Sequence, residues 1–220
     1  SLSLLSAIKE RQRVLRESNR RKRNISLRRL NSAEDLQNQI GAVPGSVCYI
    51  IQKRRRDELV NLKELGQVGL NEQISLLNMY LTEFEKEEEP FPFDNLDVDV
   101  DNEYKSIKQK NLILLINFLS REISIRGVMH SDFTRINFEM KKIEATVFFA
   151  GVSEAVHNGI KDYNSDFLGT SRSYFEKVIT LSEANPEQAF HCKSLIDTAR
   201  EYLIKIQLIS QYLPHVINLL

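Results

Sequence analysis

The stretch Leu70-Asn-Glu-Gln-Ile74-Ser-Leu-Leu77-Asn-Met-Tyr-Leu81-Thr-Glu-Phe84 decides the fold class. Its residues Leu70, Ile74, Leu77, Leu81 and Phe84 recur at intervals of four, three, four and three. A helix turns once in about 3.6 residues, so this spacing stacks the five side chains in one stripe and predicts a helix docked along a neighbour. The neighbour is expected to be the C-terminal part of the chain or a helix of a partner.

Upstream, Val47, Ile51, Leu59, Leu62 and Leu65 continue the helical spacing as far as Gly66, around a small basic cluster from Lys53 to Arg56. Before them Ala42 to Ser46, with Pro44 and Gly45, reads as a turn. Asn31 or Ser32 can accept bonds from the free amides of a new helix, with Glu34 and Asp35 in its first turn, and that helix is expected to close at Ile40-Gly41.

Downstream, the Pro90-Phe91-Pro92-Phe93 run cannot continue a helix and marks a boundary. A strand over Leu96 to Asp101 would have no partner to pair with. Beyond it, Leu112 to Leu119 and Ala145 to Val152 are apolar on nearly every side, which predicts helices in the middle of a bundle, joined by a hinge over Gly127 to Ser131. Two further helices are expected after Gly159 and Gly169. One covers Ser171 to Ser182, and one runs from Pro186 to Pro214 with Leu195, Ala199, Tyr202, Leu203, Ile206 and Ile209 as its buried stripe. The reading is an all-α chain, an antiparallel helical bundle of six to eight helices. Its parts are a basic helix or arm over 1–31, a helical N-terminal half over 32–89, an acidic Pro/Phe linker over 90–103 and a C-terminal bundle over 104–220.

Composition agrees with an ordinary globular chain: 220 residues, 42% apolar, 8 Gly and 5 Pro, which excludes collagen-like and disordered classes. Cys48 and Cys192 lie far apart without a metal or redox spacing, so free thiols in a reducing compartment are expected, and the cytoplasm with them. The longest apolar run is too short to span a bilayer. The chain opens on Ser1 rather than Met, leaving room for an upstream anchor.

Thirty Lys and Arg balance thirty Asp and Glu, but the charges are segregated. Residues 1–30 hold Lys9, Arg11, Arg13, Arg16, Arg20, Arg21, Lys22, Arg23, Arg28 and Arg29 against two glutamates, a local balance of +8. Residues 83–103 hold ten carboxylates against Lys86, a balance of −9. Such blocks either meet each other within the fold or face two different partners.

Motifs for chemistry are sparse. Glu154 and His157 have the spacing that a di-iron bundle uses, but such a bundle needs two pairs and no second exists. Asp97, Asp99 and Asp101 begin like a calcium loop that then fails at Asn102 and Lys108. No nucleophile elbow, phosphate loop or dinucleotide fingerprint is present, so no cofactor, metal or catalytic residue is assigned.

The basic segment is the main functional signal. The expectation is a non-catalytic interaction or scaffold protein that associates through helices, held at the cytoplasmic face of a membrane, on anionic lipid, by its basic N-terminal segment. Nucleic-acid binding through residues 9–29 is the alternative, and a helical enzyme with dispersed catalytic residues the second. The arginines and lysine from Arg11 to Arg29 are the candidate anion contacts, and the stripe from Leu70 to Phe84 is the candidate helix-docking surface.

Overall fold

The computed structural model describes residues 2–87, 102–125 and 130–217. Among them are eight α-helices and no strand: α1 Leu2–Ile40, α2 Gly45–Glu64, α3 Asn71–Glu87, α4 Gln109–Ser124, α5 His130–Asn164, α6 Leu168–Ala184, α7 Pro186–His191 and α8 Lys193–Ile217, with a 3-10 turn over Glu103–Ser106. The chain is an all-α helical bundle. The proposed linker and the aspartate alternation fall on residues 88–101, outside the described residues apart from Asn102 and Glu103.

Two compact units divide the chain. The first comprises Ser1–Leu96 and Ile113–Glu139, the second Asp97–Leu112 and Met140–Leu220. They are interleaved along the sequence rather than consecutive: α4 and α5 each contribute to both. A reading that divides the chain at a proline-rich stretch has no means of seeing residues 113–139 return to the first unit.

In the first unit α1, α2 and α3 pack antiparallel. As partners on α1 descend from Gln37 to Glu34 to Arg29, those on α2 ascend from Gln52 to Arg55 to Glu58, at 3.2, 3.2 and 3.7 Å. Between α2 and α3 the same reversal takes Tyr49 to Phe84 and Arg56 to Asn78. Leu30, Leu59 and Leu62 are buried, with Leu70, Ile74 and Leu77 packed against them. The stripe therefore lies on α1 and α2, its sequence neighbours, where the sequence pointed to the C-terminal part or a partner. Leu81 is buried and Phe84 stacks on Tyr49 with ring centroids 4.7 Å apart.

The first helix departs most from expectation. No break occurs at Asn31 or Ser32, because an N-cap competes with the helix only where the preceding turn is already open, and Arg20 to Leu30 is rich in good helix formers. The end at Ile40-Gly41 is as read, with Gly41 at φ +75°, a conformation that favours glycine, while the expected turn over Ala42 to Ser46 is shorter because α2 already begins at Gly45.

In the second unit Phe148, Val152, Ala155, Val156, Phe175, Val178, Cys192, Ile196, Ala199 and Ile206 form one buried cluster. Gly159 does not end a helix; it lies inside α5, where the Phe175 ring occupies the space a Cβ would need, 2.7 Å from its position. Ser171 donates a 2.8 Å hydrogen bond to the Gly159 carbonyl at the same crossing. The helix from Pro186 is divided at Cys192, and α8 runs past Pro214 to Ile217. A proline near a helix end forfeits one amide bond without ending the last turn. On α4, Leu115, Phe118 and Leu119 are buried but Ile113 and Leu114 are exposed, so this helix has an open flank where burial on all sides was expected.

Candidate anionic-partner interface

The register of α1 on α2 sets the geometry of the basic segment. Continued past Glu58, it brings the end of α2 at Glu64 level with about residue 24 of α1. Residues 2–23 thus project beyond their neighbour for about 33 Å at about 1.5 Å per residue. Helix continues there with its side chains almost all exposed because residues 26–40, packed on α2, supply the nucleus from which adding each further residue is easy.

At about 100° per residue, the projecting segment has two faces. Lys9, Arg13, Arg16, Arg20 and Arg23 fall within an arc of about 80°, and Leu4, Ala7, Ile8, Val14 and Leu15 within an arc of about 120° centred nearly opposite. Leu5 breaks the basic arc, and Arg11 and Lys22 the apolar one. All ten basic side chains of residues 1–30 are exposed. So are the apolar ones: Leu4 is 65% accessible, Val14 56% and Leu15 60%.

Arg28 and Arg29 belong to a different setting, the packed part of α1. Arg29 lies 3.7 Å from Glu58, a carboxylate with no exposure. Glu58 also accepts a 3.0 Å bond from Arg54, whose other nitrogens grip Glu122 at 2.8 to 3.0 Å, and a 3.3 Å bond from Asn61. Burial opposes the charge on Arg54, but hydrogen bonding to Glu122 and the charges of Glu122, Glu58 and Asp57 outweigh it and hold the guanidinium above its ordinary range. This network joins α1, α2 and α4 inside the first unit. The small basic cluster from Lys53 to Arg56 is thus mostly absorbed by the fold: Arg55 pairs with Glu34, Arg56 with Asp57 and Lys53 with Asp132. Only the four-residue spacing of Arg54 and Glu58 hinted at it, and Glu122 is distant in sequence.

Beside the network, the Arg135 guanidinium lies 4.6 Å from the Tyr49 ring centroid and 5.4 Å from that of Phe84. The Tyr49 hydroxyl donates to Glu85 at 2.7 Å. Burial, then this bond and the nearby charges of Asp132 and Glu85, push the phenol well above its ordinary value. Phe84, the last member of the stripe, thereby fixes a polar junction as well as an apolar one.

The described members of the acidic tract do not meet the basic segment. Glu85 is bound to Tyr49, and Glu103 pairs with Lys142 at 2.8 Å in the second unit. Within the projecting segment the ion pair present is the local one of Arg13 with Glu10. Glu154 and His157 are both exposed on α5, and no group of three or more His, Cys, Asp and Glu is gathered for a metal among the described residues. Cys48 and Cys192 are free thiols, Cys48 half-buried and Cys192 buried. Among the described residues no helix is long and apolar enough to cross a membrane. Comparison with family models, curated proteins and solved structures gives no match to this chain.

Proposed function

We propose a non-catalytic interaction protein whose projecting α1 segment lies on an anionic membrane surface, leaving the packed helices to meet protein partners. The observation that carries this reading is the pairing of an exposed apolar arc with an opposed basic arc on a helix that extends about 33 Å beyond its neighbour. Leucines and valine left in water on such a helix gain by entering the acyl boundary, and each basic residue near anionic headgroups adds about 1 kcal/mol. A second copy of the same face is a poorer occupant, since Arg11 and Lys22 would be brought against their like in the seam. Nucleic acid would use the arginines but not the apolar arc, and residues 2–25 offer no aromatic ring for stacking on bases.

Sedimentation with vesicles tests the proposal. Binding is expected with phosphatidylcholine vesicles containing phosphatidylserine and not with phosphatidylcholine alone, and it should weaken as salt is raised. The triple change Arg13→Gln, Arg16→Gln, Arg20→Gln should abolish it, and so should Leu4→Asp with Leu15→Asp. Retention of a DNA or RNA duplex at low salt, with no vesicle binding, would transfer the segment to nucleic acid. Absence of both would remove the reading.

A further inference from the structure

We propose that the cleft between α1 and α4 in the first unit binds a phosphate monoester group, gripped by Arg28 and Arg121. Two adjoining cavities of about 410 and about 300 Å³ share Arg28, Ser32, Phe118 and Arg121 in their walls, a size that suits a small organic ligand. Arg29, Arg54, Arg55 and Arg56 of the same unit each have a carboxylate partner. By contrast, no ion pair or hydrogen bond engages the guanidinium of Arg28 or Arg121 among the described residues. Two helices thus bring two guanidiniums without an ion-pair partner to the walls of one cleft.

The rest of the wall fits the same ligand. A guanidinium presents paired donors that match two phosphate oxygens, and the Ser32 hydroxyl and the Asn117 amide add donors of their own. Leu114 and Phe118 give an apolar side for the organic part of an ester. Glu122 borders the smaller cavity, but its charge is taken up by Arg54. Asp35 lines only the larger cavity. There it opposes an anion and is placed to accept a hydroxyl of the ligand.

Calorimetry with phenyl phosphate and inorganic phosphate, and sedimentation with phosphatidylcholine vesicles containing phosphatidic acid, separate a soluble ester from a lipid headgroup. Phenyl phosphate is expected to bind more tightly than inorganic phosphate. Arg28→Gln and Arg121→Gln should each weaken the interaction by about tenfold or more, with the melting temperature unchanged because neither side chain is paired in the fold. Asp35→Asn should tighten it. In calorimetry, Arg13→Gln on the projecting segment should leave phenyl phosphate binding as it was, so this site stands or falls apart from the membrane reading. If only the vesicles bind, and both arginines are needed, the phosphate belongs to a headgroup and the site stands. If neither probe binds, or binding ignores both arginines, the proposal is overturned.

Discussion

Residues 9–23 of α1 and residues 53–56 of α2 are both arginine-rich stretches of helix, yet the first stays in water and the second is mostly drawn into the fold. Composition does not separate them. What differs is the supply of carboxylates: Glu34, Glu58, Glu122 and Asp132 arrive from α1, α2, α4 and α5 to meet the second stretch, while the first runs past the end of its neighbour and has only the local pair of Arg13 with Glu10. A basic cluster is therefore a surface only where the tertiary structure leaves it unanswered.

Removing Arg54 should break this contrast most severely. Arg54→Ala leaves Glu58 and Glu122 buried without their main cation, and loss of one partner of a buried pair costs about 3–5 kcal/mol. The melting temperature of the first unit should fall by many degrees; a change like that of a surface arginine would mean the network contributes little. Leu81→Ala should come next, at about 2–4 kcal/mol, because Leu81 is buried. Leu77→Ala, at a half-buried position of the same stripe, should cost less, and equal costs would show that burial does not rank these sites. Denaturant titration of the three variants gives the order.

Alkaline pH supplies a finer test. The Tyr49 phenol is held above its ordinary value by burial and by Glu85, so its contribution is fully present below a pH of about 10 and is lost as pH rises towards the folded value. Melting temperatures of the parent chain should therefore fall more steeply above pH 10 than those of Tyr49→Phe, which has nothing to ionise. Parallel slopes would remove Tyr49 from the account. The smallest effect is expected on the exposed side: Arg16→Gln with Arg20→Gln should change stability by less than about 0.5 kcal/mol while weakening vesicle binding. A large stability loss there would mean that the segment is packed rather than projecting.

Part of this architecture is legible in the residues. The stripe from Leu70 to Phe84 identifies a docked helix because its spacing is a property of the helix itself. Pro44 with Gly45, and Gly41 at positive φ, mark the first turn because backbone conformation is decided locally. Gly159 misleads for the opposite reason: the residue type allows a helix end or a close crossing, and only the position of the Phe175 ring decides between them. The cap at Asn31 or Ser32 fails likewise, since capping chemistry matters only where the helix has already stopped.

The candidate sites divide in the same way. The exposed basic and apolar residues of α1 and their opposed arcs follow from sequence and helix period alone, because an isolated helix fixes which side chains share a face. Their projection does not, for it depends on where α2 ends beside them. The placement of Arg28 and Arg121 on the walls of one cleft, and the capture of Arg54 by Glu58 and Glu122, depend on residues up to 93 positions apart in sequence. Local periodicity determines the helices and their faces; only tertiary packing decides which charges are neutralised and which remain free to bind, because Coulombic pairing acts through space and not along the chain.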